Sequence, residues 1–210
     1  MAEFQNMIEA LTKGRAPQLK ELVQKALDEK ISPASILEEG LIAGMSIIGE
    51  RFKRNEIYVP EVLIAARAMK AGMEVLKPAL VSSGVEPRGV VALGTVKGDM
   101  HDIGKNLVGM MLEGAGYKVI DLGFDVSPEK YVQAVRNGSR LIGMSALLTT
   151  TMPSMKKTVS AVSEAGIRDR VKIIIGGAPV TQKYADEIGA DGYAPDATSA
   201  TELVNTLMAD

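Results

Sequence analysis

The sequence predicts an α/β protein in two parts: a four-helix bundle over residues 1–86, then a five-stranded parallel sheet with helices on both faces over residues 87–210. Three observations predict it. Residues 3–80 carry apolar side chains at three- and four-residue steps, with no convincing strand. The rest of the chain alternates short β-branched runs with helical segments. Between the two rhythms lies Ser82-Ser83-Gly84-Val85-Glu86-Pro87-Arg88, small, polar and interrupted by proline, which reads as a linker over about 82–88.

Two short helices, about 3–12 and 17–29, are separated by Gly14 and Pro17. Ser32 before Pro33 has the pattern of an N-cap with proline at the first helical position. Behind it Leu37, Leu41, Met45, Ile48 and Phe52 form one apolar stripe. Another start at Pro60 opens a helix in which Val62, Ala66, Met69, Met73, Leu76 and Leu80 keep the same spacing. Four helices with short connections make a small bundle. Strands are expected at Val90–Val96, Tyr117–Leu122, Leu141–Ser145, Val171–Ile175 and Gly192–Ala194. Strand–helix alternation implies right-handed crossovers, and five such strands fit a flavodoxin-like, doubly wound (Rossmann-like) sheet. Ligands of such sheets sit beyond the carboxyl ends of the strands, so chemistry is expected in the loops that follow them.

Composition removes several functions. With 46% apolar and 24% charged residues, the 210-residue chain reads as ordinary globular. The absence of cysteine excludes disulfides, thiolate zinc sites, iron–sulfur clusters and a cysteine nucleophile. His101 is the single imidazole, which excludes multi-histidine zinc sites. Lys and Arg number 24 against 26 Asp and Glu, with no basic excess in either half, and aromatics are 4%. Nucleic acid is not expected as a partner. No apolar run approaches the ~20 residues of a membrane span, and Met-Ala-Glu-Phe-Gln does not open a signal peptide. A soluble, cytoplasmic chain with no membrane partner is the expectation.

The run Gly94-Thr95-Val96-Lys97-Gly98-Asp99-Met100-His101-Asp102-Ile103-Gly104-Lys105-Asn106 leaves the first strand and opens a helix, placing the only histidine at the expected ligand edge. A lone loop histidine is usually a solvated residue. Asp99, two positions earlier, shifts the balance, because an acceptor on one ring nitrogen fixes the tautomer and leaves the other lone pair pointing outward. That arrangement suits a metal ligand or a general base. A P-loop fails on spacing, since five residues separate Gly98 from Gly104 and Asn106 follows Lys105. The G-x-G-x-x-G turn and the G-x-S-x-G nucleophile elbow are absent. Gly143-Met144-Ser145-Ala146-Leu147-Leu148-Thr149-Thr150-Thr151, at the end of the third strand, offers hydroxyls to the same edge or caps the next helix. Gly176-Gly177-Ala178-Pro179 is a simple turn or a place where backbone approaches a ligand.

Asp99-x-His101-x-x-Gly104, then 40 residues, Ser145-x-Leu147, then 28 residues, Gly176-Gly177 is a D-x-H-x-x-G…S-x-L…G-G signature. It resembles the cobalamin-binding proteins that hold a corrinoid base-off, with histidine on cobalt. The helical half carries the resemblance further: Glu38, Gly44-Met45, Gly49-Glu50-x-Phe52, Tyr58-Val59-Pro60-Glu61-Val62 and Ala66-Arg67-Ala68-Met69 are similar to the helical cap of methionine synthase. The small corrinoid proteins of methylamine, methanol and methoxyaromatic methyltransferase systems share this layout. Nearly the whole chain is covered, and its length without a catalytic barrel favours these small proteins.

The resemblance implies a cap domain over 1–86 and a cobalamin-binding domain over 87–210. It implies that His101 takes the lower axial position on cobalt, that Asp99 accepts its other N–H, and that Thr151 completes a proton relay where methionine synthase has serine. Met100, Asp102, Ile103 and Gly104 beside the histidine, with Leu147, are implied cofactor contacts. Ser145 and Thr149 would meet the displaced lower base, Gly176 and Gly177 would leave room for it, and Tyr193, Ala194, Asp196 and Ala197 would surround it. From the cap, Phe52, Val59 and Val62 would cover the upper face, with Glu38 as a polar contact. The plainer alternatives are bundle core for the three apolar residues and a solvated helix face for Glu38. The cofactor implied is cobalamin or a related corrinoid, cycling between methylcob(III)amide and cob(I)amide. The chain would not be a catalyst alone. It would carry methyl groups in one-carbon metabolism from a substrate-specific corrinoid methyltransferase to a second methyltransferase using tetrahydrofolate or coenzyme M, with a reductive activase. The cap would swing about the linker to admit them. A cobalamin-dependent sensor is the competing reading, disfavoured because no DNA-binding region fits beyond this layout.

Overall fold

The computed structural model describes residues 2–209. The chain divides into two units: residues up to Pro87 together with Glu113–Gly116, and the remainder from Arg88 onward.

In the helical unit, α1 (Ala2–Thr12) and α2 (Ala16–Asp28) are joined at Gly14, whose φ of 67° suits a residue without a side chain. A Cβ there would also overlap Ile64. Next, α3 (Pro33–Ser35) runs without a break into a π-helical stretch, Ile36–Ile42, and then α4 (Ala43–Lys53). Pro33 occupies the first turn as expected, but the Ser32 hydroxyl makes no capping bond. The stripe read as one α-helix is therefore wound more widely in its middle. The Ala43 amide reaches back to Glu38, five residues earlier, and Ile36, Leu37, Gly40, Leu41 and Ile42 are all buried. That face is broader than an α-helical stripe allows. The last helix, α5 (Val59–Ser82), starts where the Glu61 carboxylate accepts the Tyr58 amide at 3.1 Å, with Pro60 in its first turn. Leu11, Leu19, Ile36, Leu41 and Leu76 have no exposed surface and form the centre of the bundle. Because α5 persists through Ser82 and ends at Ser83, the first residue of the expected linker is helical.

The second unit alternates β1 (Val90–Thr95), α6 (Ile103–Gly114), β2 (Lys118–Asp121), α7 (Pro128–Arg136), β3 (Leu141–Ser145) and α8 (Pro153–Glu164). A 3-10 turn at Arg168–Arg170 precedes β4 (Lys172–Gly176), α9 (Gln182–Ile188), β5 (Gly192–Ala194) and α10 (Ala197–Leu207). All strand pairs are parallel, in the order β2-β1-β3-β4-β5. This is the flavodoxin-like doubly wound order, in which the chain reverses direction across the sheet between β1 and β3. Register aligns Thr95, Ser145, Gly176 and Ala194 in one row at the carboxyl edge. Val91, Leu141, Ile142 and Ile173 are fully buried, as unbroken apolar runs in a two-sided sheet require.

One group in this core is out of balance. Tyr131 of α7 is fully buried, with its hydroxyl end filling the space a Cβ on Gly94 of β1 would occupy, yet its hydroxyl has no hydrogen-bond partner among the described residues. An orphaned buried hydroxyl costs about 1–3 kcal/mol. Tyr131→Phe is expected to raise stability by about 1 kcal/mol in urea unfolding. Gly94→Ala, whose methyl group would overlap the same ring, is expected to lower it by about 1–3 kcal/mol. A loss of stability in Tyr131→Phe would contradict this account.

Candidate functional site

The site is built around a charge. Asp99 has no exposed surface, yet five donors reach its carboxylate. Oδ1 accepts the His101 main-chain amide at 3.0 Å and lies 2.8 Å from His101 Nδ1. Oδ2 accepts the amides of Leu147 and Leu148 at 2.8 and 3.3 Å and the Thr151 hydroxyl at 2.8 Å. Burial alone would push this carboxyl up. The amides of His101 and Leu147, the Thr151 hydroxyl and the imidazole outweigh it and hold Asp99 well below the usual carboxylate range.

An ionised carboxylate only accepts hydrogen bonds, so the His101 proton lies on Nδ1 and the lone pair on Nε2. The His101 side chain is 52% exposed, so Nε2 is available to a ligand. Such a nitrogen binds a metal or takes a proton, and the Asp99 bond fixes which of the two ring nitrogens offers it. Thr151 is buried, and its hydroxyl is 2.8 Å from both Asp99 Oδ2 and the Leu148 carbonyl. It has one proton for two acceptors. While Asp99 is charged the proton points to Asp99, and the Leu148 carbonyl is the alternative acceptor. The capping reading fails for this hydroxyl, because α8 begins at Pro153 after Met152 in the cap position, with no side-chain cap.

Around the histidine, Met100, Ile103, Leu147 and Leu148 are exposed by 60%, 80%, 44% and 43%, an apolar rim that a soluble sheet edge does not need for itself. Gly104 is open, with no atom within 4 Å of where a Cβ would stand. Asp102 accepts the Asn106 side-chain amide at 3.0 Å in the first turn of α6. Ser145 and Gly176 share the carboxyl-edge row, and Thr149 is exposed. Gly177 has φ 127°, and a Cβ there would overlap the Ala146 carbonyl, so its glycine serves the close approach of two loops. Tyr193 is half-buried and Ala194 ends β5 in the same row. Asp196 caps α10, accepting the Ser199 amide at 2.8 Å and its hydroxyl at 3.0 Å, with Ala197 buried behind it.

The structure thus brings Asp99, His101, Leu147 and Thr151 together. Within the helical unit, Glu38 is exposed on the π-helical stretch, Phe52 is half-buried in α4, Val59 is 37% exposed, and Val62 has no exposed surface. The Leu147 and Leu148 amides, and the Lys105 ammonium buried against Asp121 at 2.6 Å, carry no sequence signal as site groups.

Because the folded Asp99 carboxyl is depressed, its stabilisation is complete above the ordinary aspartate pKa of about 3.9 and is lost as pH falls below that value. Asp99→Asn is expected to cost about 2–4 kcal/mol at neutral pH. The gap to the parent protein should narrow as pH falls below about 4. Urea unfolding of both proteins across that range checks it, and a constant gap would refute the buried charge.

A family model described as B12 binding domain matches residues 89–202, and a second of the same description matches residues 3–77. A corrinoid protein of Desulfitobacterium hafniense (strain Y51) is 42% identical over 99% of this chain and 98% of its own length. Trimethylamine corrinoid protein 1 of Methanosarcina acetivorans is 44% identical over 90% of this chain and 88% of its own. Among solved structures, a chain of the methanol:cobalamin methyltransferase complex of Methanosarcina barkeri superposes with a TM-score of 0.88 at 29% identity, covering 99% of this chain and 80% of that one. With two B12-binding segments, a fold shared with a solved relative and a histidine presented at the sheet edge, the chain belongs to the family of B12-binding corrinoid proteins.

Proposed function

We propose that this protein is a methyl carrier: it holds a corrinoid base-off with His101 Nε2 as the lower axial ligand, and presents it in turn to two methyltransferases. The observation that carries this reading is the buried Asp99 carboxylate, which fixes the Nδ1 proton of the chain's only imidazole and leaves Nε2 within an exposed apolar rim. A flat macrocycle fits that rim, and a single protein nitrogen is all that a metal already held in a macrocycle requires. Bound there, the corrinoid supplies a cobalt that accepts and releases a methyl group.

The chain's residues do the rest. Asp99 fixes the tautomer of the imidazole and holds its ring. Thr151 steadies the Asp99 charge and has a second acceptor in Leu148 when that charge is neutralised. Met100, Ile103 and Leu147 would meet the macrocycle, and Asp102 holds the first turn of α6. Gly104 leaves open space, while Ser145, Thr149 and the row through Gly176 and Ala194 border the displaced base, with Gly177, Tyr193, Asp196 and Ala197 shaping the loops beyond. The helical unit acts as a cap, with Phe52 and Val59 available to cover the upper face and Val62 supporting them from the bundle interior. Glu38, exposed on the π-helical stretch, is its polar contact. The partners are a substrate-specific corrinoid methyltransferase, an acceptor methyltransferase using tetrahydrofolate or coenzyme M, and a reductive activase.

Reconstitution with cobalamin tests the axial assignment. The parent protein is expected to show a cobalt(II) resonance split by one histidine nitrogen, and His101→Ala to lose that splitting while retaining corrinoid through its tail. Identical spectra from the two proteins, in the cobalt(II) and methylated states, would overturn the axial histidine.

A further inference from the structure

The loop between β2 and α7 grips the histidine loop through one residue. Asp125 sits in left-handed backbone with φ 52°, a region that non-glycine residues seldom adopt and that Asp and Asn tolerate best. From there its amide donates to the Asp99 carbonyl at 3.0 Å. Its Oδ1 accepts the Gly98 amide at 2.8 Å, and its Oδ2 accepts the Lys97 ammonium at 2.9 Å. Three consecutive residues of the motif loop are thus bonded to one residue of another loop. Beside this grip, the Val126 amide donates to the Thr95 carbonyl and the Thr95 amide to the Gly123 carbonyl, so the two loops run as an extension of the sheet.

The consequence reaches the imidazole. The chain reverses at Gly98, with φ 88°, and the Asp99 amide closes the turn on the Val96 carbonyl at 3.0 Å. The direction in which Asp99 projects its carboxylate is therefore set by peptide groups that Asp125 holds on both sides. The Gly98 amide and the Lys97 ammonium keep the Asp125 carboxyl below its usual range, so it remains a charged acceptor.

We propose that Asp125 is a positioning residue for the axial histidine: by clamping Lys97, Gly98 and Asp99 it aims the carboxylate that fixes the His101 tautomer and presents Nε2. The link to cobalt rests on the reading of His101 as the axial ligand, but the link to the tautomer does not. His101 is the only histidine, so its ring nitrogen signals in the metal-free protein are free of overlap. At about pH 8.5, where an ordinary imidazole is neutral, the parent protein is expected to show the Nδ1-protonated form. Asp125→Gly removes the carboxylate while easing the left-handed backbone, and Asp125→Ala removes it with the backbone cost kept.

Both variants are expected to populate the other tautomer, and after cobalamin reconstitution to show roughly a tenfold lower ratio of histidine-bound to histidine-free cobalt(II), the lower end of what outer partners of metal ligands contribute. Corrinoid content should not change. A folded Asp125→Gly protein with parental ring signals and parental nitrogen splitting would overturn the proposal and leave Asp125 a loop staple. Should Asp125→Gly not fold, Asp125→Ala, which removes the acceptor for Gly98 and Lys97, decides in the same way: shifted ring signals support the clamp and parental ones overturn it. If the parent protein itself shows no histidine nitrogen on cobalt, the axial reading fails, and the ring signals still judge Asp125.

Discussion

A carboxylate removed from water must be met by donors or give up its charge, and Asp99 is the point on which the rest of the site depends. Its donors come from two places in the chain. The His101 amide and ring are local, whereas Leu147, Leu148 and Thr151 lie some fifty residues on, beyond β3. Satisfying one charge therefore ties the loop after β1 to the loop after β3. Those strands are neighbours because the sheet order reverses between them. The topology creates the crevice, and the Asp99 charge gives it a fixed floor.

Most of the fold was legible because its elements announce themselves locally. Strands buried on both faces read as unbroken β-branched runs, and the expected spans of β1, β2 and β4 differ from the observed ones by a residue at one or both ends. Pro33 and Pro60 marked helix starts through their fixed φ and missing N–H. The π-helical stretch was not legible: the spacing of Leu37, Leu41, Met45 and Ile48 suits an α-helix, and the wider winding follows from burying Ile36 and Ile42 as well, which is a tertiary demand. In the site, the pairing of Asp99 with His101 was readable from a two-residue gap. The Leu147 and Leu148 amides were not, since every residue but proline carries the same donor and only the fold selects these two. Asp125 was hidden for a related reason. Its partners Gly98 and Lys97 lie 27 and 28 residues earlier, so no local pattern records them.

The threonine at position 151, where the resembling pattern has serine, keeps the hydroxyl and adds a methyl group. A β-branched side chain is stiff at χ1, and its oxygen stands 2.8 Å from two acceptors. Stiffness here is compatible with proton movement, because the choice between Asp99 and the Leu148 carbonyl needs only rotation of the hydroxyl hydrogen. A flexible side chain would need to be ordered at each exchange, at a cost in rotamer entropy. The threonine therefore keeps a hydroxyl donor to Asp99 on a side chain with little freedom to lose.

The histidine itself is held in two unequal ways. Its backbone is pinned on both sides, by the amide bonded to Asp99 Oδ1 and by the carbonyl that accepts the Thr95 hydroxyl at 3.0 Å. Its ring is held by one bond from Nδ1 to the same carboxylate oxygen, and half of the side chain is exposed. The ring can then turn by small rotations while the loop stays in place. The carboxylate keeps its orientation when the ring moves, because the Leu147 and Leu148 amides do not depend on the ring. A ring free to turn is thus carried on a fixed frame, and the separation is achieved by giving the two oxygens of Asp99 different partners.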